Sequence, residues 1–224
     1  RIANVRLEKI RLGSPFLLRT VSPGLDETEG CTVQQLRRIG KRIAIGLDND
    51  VWVVLHLMIA GRLHWRRSGV KVSARGTLAA FDFPGNSLTL TEAGTERRAA
   101  LYLVRGEEGL SALDPGGLEP LTATPEEFAA RLRLENHTLK RALTDPRLLS
   151  GIGNAYSDEI LHRARLSPVA LTAKLPDAAM HLLWEATCSV LNEWIERLRA
   201  ERNGGFPEGV TAFRPEMAVH GKYG

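Results

Sequence analysis

Cysteine is scarce in this sequence and long apolar runs are missing, and each shortage closes off a class of protein. Only Cys31 and Cys188 occur, far apart in 224 residues. They offer neither a disulfide framework nor metal-ligand spacing, and two unpaired thiols suit a reducing compartment. No stretch approaches the about 18 consecutive apolar residues that a membrane-spanning helix needs. His137, His162 and His181 show no metal-ligand pattern and are read as structural or surface residues. Internal repeats and low-complexity segments are missing too, so neither a repeat array nor a disordered tract is indicated.

What is present is ordinary globular composition, 43% hydrophobic and 25% charged. A chain of 224 residues can bury a sizeable core as one large domain or two small ones. A formal net charge of +4 and a pI near 9.3 favour a polyanionic partner without proving one.

The first half reads as β structure. Arg1 to Leu12 alternates in part and resembles a strand with a register break. Arg42 to Leu47 alternates cleanly, Asp48-Asn49-Asp50 supplies turn chemistry, and Val51 to Leu57 is an apolar return strand. A second hairpin runs from Leu78 to Phe83, turns at Pro84-Gly85-Asn86 and returns over Ser87 to Thr91; Ala99 to Val104 is a further strand. These strands make a two-layer sandwich. Pro115-Gly116-Gly117 and Pro120 then mark a boundary, which divides the chain into residues 1–118 and 119–224.

Beyond that boundary the period becomes helical. Thr124, Pro125 and Glu127 form a capping box with proline at the first helical position. The longest helix runs from near Pro176 to Ala200, with Met180, Leu183, Trp184, Thr187, Leu191, Trp194, Ile195 and Leu198 on one face, which places its tryptophans in the core. Between these lie two short helical patterns around Gly151-Ile152-Gly153-Asn154. The glycines let backbone N–H groups approach a ligand closely, and the second helix presents its positive end to whatever the turn binds. Lys140 lies just upstream and could add a full charge. Most glycine pairs before a helix merely connect, so the geometry alone leaves both readings open.

The longer pattern is more specific. LKRALTD, GIGNAYSDEIL and ARLSP together resemble the helix–two-turn–helix of the formamidopyrimidine-DNA glycosylase/endonuclease VIII family, and the order of β domain, linker and helical domain resembles that family along essentially the whole chain. The resemblance implies an α+β fold, with an N-terminal β-sandwich followed by the helical domain. It also implies base-excision repair: a bifunctional glycosylase and abasic-site lyase that removes oxidised bases, purines in particular, from double-stranded DNA. A monomer in the cytoplasm, at the nucleoid in a bacterium, goes with that reading.

Individual residues acquire roles from the same resemblance. In the family a lysine in a Gly-Lys context contacts DNA and assists proton transfer during strand cleavage, and Lys41 after Gly40 matches it. Read from the residues alone, Lys41 is a solvated lysine among Arg37, Arg38 and Arg42. His56-Leu57-Met58-Ile59-Ala60-Gly61 resembles the segment whose flexible apolar side chain fills the gap left by an extruded nucleotide. Ile59 takes that position with Met58 beside it; a core residue at a strand end is the alternative. Arg97 matches the arginine that pairs with the orphaned base, with Arg98 as the fallback. Ala99 stands where the family has a phenylalanine, so one wedge is missing. Arg75 aligns with a phosphate contact or is a plain loop arginine. Asn154, the backbone at Gly151 and Gly153, and Lys140 would grip a phosphate. Tyr156 and Ile160 are read as helix-packing residues, and Asp158 and Glu159 as acids that favour the helix start.

Two family features lie outside this sequence. The nucleophile is the amine of a Pro-Glu opening, whereas the sequence begins Arg1-Ile2-Ala3-Asn4, so about one helix, roughly 20 residues, is expected ahead of Arg1. Val219 to Gly224 resembles the lead into a zinc finger carrying two C-x₂-C pairs, so structural zinc is expected after Gly224. Gly204 to Arg214 falls where the family has a loop that can close over an extruded base, or is a plain connection. The rival to an enzyme is a non-catalytic DNA- or RNA-binding protein that keeps the elbow; a ribosome-associated protein fits less of the chain.

Overall fold

A computed structural model describes residues 1–93, 96–209 and 211–222. Its contacts separate into two units: Arg1–Asp114 with Phe206–Glu208, and Pro115–Gly205 with Gly209–Gly224.

The first unit stacks two antiparallel four-stranded sheets. Strands β1 (Lys9–Leu12), β6 (Thr77–Phe83), β7 (Asn86–Glu92) and β5 (Gly61–Arg67) form one, in the order β1-β6-β7-β5. The other runs β2-β3-β4-β8, from Val33–Ile39, Arg42–Leu47, Val51–His56 and Ala100–Arg105. Alternation on β4 explains its uninterrupted apolar run. Val51, Val53 and Leu55 face the sandwich core with Phe81, Phe83, Leu90, Leu101 and Leu103. Trp52 and Val54 point the other way, into a smaller cluster with Ile39, Ala44 and Leu110 of helix α1 (Gly106–Ser111). Both faces of this strand are therefore buried, as continuous Val/Leu runs require.

The first twelve residues differ from the expected strand. Only Lys9–Leu12 forms a strand, on β6, and Arg6 makes an isolated bridge with Thr32. Ahead of it Asn4 adopts a left-handed conformation (φ 60°), and Leu7 donates its N–H to Cys31 rather than to a sheet neighbour. The register break noted in the sequence falls between Leu7, whose N–H is bonded to Cys31, and Lys9, where pairing on β6 begins; Leu7 and Ile10 are buried in the core, with Val5 and Leu12 partly buried against it.

The second unit packs α2 (Pro125–Leu132), α3 (Leu139–Thr144), α4 (Asn154–Ala164) and α5 (Asp177–Glu201) around a separate core that includes Phe128, Leu139, Leu143, Leu149, Ile160 and Leu183. The capping box is complete: Glu127 N–H donates to Thr124 Oγ1 at 3.2 Å and Thr124 N–H to the Glu127 carboxylate at 2.9 Å. Along α5, Met180, Leu183, Thr187 and Trp194 are buried, and the half-buried Trp184 donates its indole N–H to Ala123 O at 3.1 Å. No helix is long and apolar enough to cross a membrane among the described residues.

Candidate nucleic-acid interface

Sheet register gathers one set of sequence-singled residues at a single end of the first unit. Gly40 and Lys41 make the two-residue turn between β2 and β3, because Ile39 pairs with Arg42. Arg42 in turn pairs with His56 at the end of β4, and His56 pairs with Ala100 at the start of β8. The turn Leu57–Ala60 and the segment Glu96–Ala99 therefore leave the same edge as Lys41. Arg75, exposed in the turn before β6, leads into Thr77, which is registered on Thr91, next to the Gly61–Glu92 pair.

Local forces fix these positions. Gly61 donates its N–H back to Leu57 O at 2.9 Å, and a Cβ on Gly61 would lie 2.2 Å from that oxygen. This tight closure forces Met58 to a positive φ of 54° and pushes Ile59 outward, where it is 82% exposed. Ile59 is thus not the core residue that one sequence reading allowed. Buried Glu92 accepts the N–H groups of Arg98 (2.9 Å) and Ala99 (3.0 and 3.1 Å), which fixes the backbone beside Arg97. The Arg98 guanidinium is held by Glu96 at 2.6 Å, whereas Arg97 has no hydrogen bond or ion pair to any described residue.

The patch is basic and partly desolvated. Lys41 is exposed, yet nearby protein removes enough water from its ammonium to lower its pKa. Burial, with the charges of Arg42 and Lys41, lowers that of His56. Arg42 Nε is buried with no partner among the described residues. Lys41 and Arg42, close together with no ion pair to any described residue, suit an anionic ligand.

The second unit carries the elbow. Asp145 closes α3 by accepting three bonds from Arg147, from its backbone N–H at 2.9 Å and its guanidinium at 3.1 and 2.8 Å. Gly151 then takes φ +82°, buried Ile152 anchors the turn, and Gly153 caps α4 in an extended conformation without a side-chain cap. The first N–H in the α4 ladder is that of Ser157, to Gly153 O, so the amides of Asn154, Ala155 and Tyr156 lie at the open helix start. Asn154 is exposed there.

Three side chains near this start act differently from the sequence reading. Helix α4 begins at Asn154 with no acid in its first turn, so Asp158 and Glu159 lie in the second. Asp158 binds Lys140 through Oδ1 and His220 Nδ1 through Oδ2, the latter at 2.9 Å. Burial opposes its ionisation, but Lys140 and His220 outweigh that and hold the carboxyl below its usual pKa. Buried Glu159 accepts the backbone N–H groups of Ala218, Val219 and His220 at 2.7, 2.9 and 2.9 Å. Lys140 also donates to Asn154 O at 3.0 Å, so its charge is engaged within the protein. No local pattern in the sequence announces these pairings, because their partners lie 14 to 62 residues away. Tyr156 and Ile160 pack as their spacing implies: Tyr156 meets Trp194 edge-on at 5.9 Å and donates to Thr211 O, and Ile160 is fully buried.

The N-terminal-domain model of formamidopyrimidine-DNA glycosylase matches residues 1–152, and the helix–two-turn–helix domain model of the same glycosylase matches 116–202. The chain belongs to the formamidopyrimidine-DNA glycosylase family. A member from Heliobacterium modesticaldum is 31% identical over 204 residues, 88% of this chain and 73% of that protein. One from Pelotomaculum thermopropionicum is 29% identical over 88% of this chain and 72% of its own. The fold matches a Lactococcus lactis glycosylase, solved in complex with FAPY-dG-containing DNA, with a TM-score of 0.85 at 22% identity over 99% of this chain and 83% of the other.

Family membership also calls for a test of zinc. Cys31 and Cys188 lie in different units, and no group of three or more His, Cys, Asp or Glu among the described residues is placed to hold a metal. The described residues therefore do not form a zinc site. The loop Gly204–Arg214 is divided: Glu208 accepts from Arg66 at 2.7 Å and meets His64 at 3.0 Å within the first unit, while Thr211 and Arg214 bond within the second. Val210 of this loop, and Tyr223 and Gly224 of the segment leading to the expected finger, lie outside the described residues.

Proposed function

We propose that this member of the glycosylase family removes oxidised purine bases from double-stranded DNA as a monomer and then cleaves the abasic strand. The observation that carries the reading is the apolar wedge. An isoleucine 82% exposed on a strained turn has no role in packing, and it stands at the edge that also carries Lys41, Arg97 and Arg42, whose buried Nε has no partner among the described residues. Extrusion of a nucleotide costs a few kcal/mol of stacking and pairing, and an inserted side chain offsets part of it. Ile59, with Met58 beside it, fills that gap, and Arg97 faces the orphaned base. A lysine whose ammonium is partly desolvated is closer to the range where it exchanges protons, which suits Lys41 to proton transfer during strand cleavage. Asn154, the amides following Gly151 and Gly153, Lys140 and Arg75 hold phosphates.

In this reading a secondary amine attacks the sugar C1′, expels the base and leaves an iminium that permits β-elimination. The amine is that of the Pro-Glu opening expected ahead of Arg1. The zinc finger expected after Gly224 belongs to the same reading, and the zinc content of the full-length protein checks it. Borohydride trapping on a duplex with an abasic site tests the chemistry. A covalent protein–DNA adduct is expected from the full-length protein. Tight binding with no adduct would refute lyase chemistry and favour a non-catalytic DNA- or RNA-binding protein. A panel of lesions in duplex DNA then tests the preference for oxidised purines.

A further inference from the structure

The engagement of Lys140 changes what the elbow can do. A phosphate that approaches the start of α4 meets a lysine already bound to Asp158, and that carboxylate has its other oxygen on His220. The arrangement is built rather than incidental. His220 is 9% exposed, its ring lies 4.6 Å from that of Phe213, and Phe213 is held at a positive φ of 56°. The His220 backbone is pinned by Glu159 at 2.9 Å. Charged groups that face His220 are Asp158 and Glu159 of α4 and, across the shared carboxylate, Lys140 of α3.

We propose that Asp158 is the resident counter-ion of Lys140, and that His220 sets how much of the lysine's charge a DNA phosphate can use. The inference rests on the reading of the elbow as a phosphate grip. With His220 neutral, its Nδ1–H donates to Asp158 and the three side chains sum to zero charge. Protonation at Nε2 leaves that bond in place and gives the cluster one net positive charge. Protonation of His220 therefore tightens the grip, and removal of the carboxylate does so at any pH. Asp158 and His220 are positioning residues: neither needs to touch DNA.

Salt dependence of binding separates this from a structural role. One more available cation steepens the slope of log K against log salt by about 0.9, equivalent to roughly fivefold tighter binding at 0.15 M salt. The intact protein would be titrated, by fluorescence anisotropy, against a duplex carrying a tetrahydrofuran abasic analogue at pH 8 and pH 6. Asp158→Asn is expected to steepen the slope by about one at pH 8. His220→Gln, whose amide still donates to Asp158, is expected to lose the tightening that the unsubstituted protein shows between pH 8 and pH 6. Lys140→Ala is expected to flatten the slope at pH 6, where the lysine's charge is available, and to cancel the gain when combined with Asp158→Asn at pH 8. A flatter slope in Lys140→Ala with none of the steepening in Asp158→Asn would overturn the counter-ion while leaving the phosphate grip intact. An unchanged slope in Lys140→Ala at pH 6 would remove Lys140 from the grip and this proposal with it. Should Asp158→Asn fail to fold, Asp158→Ser is read in the same way.

Discussion

Replacing Glu159 by glutamine should detach the chain segment around Ala218–His220. The carboxylate is 6% exposed, with Oε1 accepting from Val219 and His220 and Oε2 from Ala218. Burial alone would favour the neutral acid, but the three donors outweigh it and lower the pKa. A glutamine placed with its oxygen on the Val219 and His220 side keeps two neutral bonds. Its NH2 group then confronts the Ala218 N–H, donor against donor. Loss of charge assistance on two bonds costs about 0.5–1 kcal/mol each, and one unsatisfied buried N–H about 1–3 kcal/mol, for a total near 3 kcal/mol. The segment can open without unfolding the helices, so the loss should show locally before it shows in the melting temperature. Hydrogen exchange at the amides of 218–220 should accelerate by roughly a hundredfold, since about 1.4 kcal/mol is a factor of ten. The sign with pH follows from the lowered pKa. Protection from the carboxylate is complete above the unfolded-state value and is lost as pH falls through the folded one. Exchange at these three amides within threefold of the unsubstituted protein would refute the anchoring role.

Four further outcomes follow from the same geometry. Ile59→Ser should leave stability within about 0.5 kcal/mol, as for other exposed sites, yet slow base excision at least about tenfold; a large fall in melting temperature would show that Ile59 packs after all. Lys41→Ala should reduce strand cleavage by about a hundredfold or more while DNA affinity changes little, and equal losses in both would make Lys41 a simple phosphate contact. Gly61→Ala should destabilise the first unit by about 1–3 kcal/mol, because the new methyl meets Leu57 O at 2.2 Å; an unchanged urea midpoint would count against that closure. The bonds and charge of Arg147 hold Asp145 at a pKa of about 2, so its contribution is full above the ordinary value of 3.8 and is lost toward pH 2. Asp145→Asn should therefore remove about 1 kcal/mol at pH 7, allowing for exposure of the arginine, and only a small part of that by pH 2.

How much of this was legible in the residues depended on where each instruction resides. The β6–β7 hairpin could be read because alternation and Pro84-Gly85 are local; Phe83 and Asn86 are the closing pair. The α2 capping box and the face of α5 were legible for the same reason. Strand β2 was not, since five exposed residues separate its two buried ends and a bulge between Val33 and Gln35 breaks the period. Its existence rests on hydrogen bonds to β3, which no apolar pattern announces. Strand β5 went unread too, because arginines crowd an edge strand. At the candidate interface, motif spacing located Lys41, Ile59 and Arg97 one at a time. Their convergence on one edge is a consequence of register, which is tertiary information. Asp158 and Glu159 were read as helix-start acids because the sequence shows neighbours, whereas their partners lie in Ala218–His220 and at Lys140.

The two acids of α4 show how a helix start can stay attractive to anions with carboxylates so near it. Glu159 is buried and saturated by backbone donors, so little of its charge reaches the elbow. Asp158 is balanced by Lys140 and bonded to His220. What remains for a phosphate, with His220 neutral, is the open amides, the Asn154 side chain and the helix dipole, the last worth about 0.3–1 kcal/mol at an exposed site. Such a grip is weak and indifferent to sequence. It is unlike the arginine-rich edge of the first unit, where Arg42 Nε and Arg97 have no protein partner among the described residues. Most of the salt dependence of binding near pH 8 should then arise from the first unit, and the helical unit should contribute appreciably only when His220 is protonated or Asp158 is neutralised.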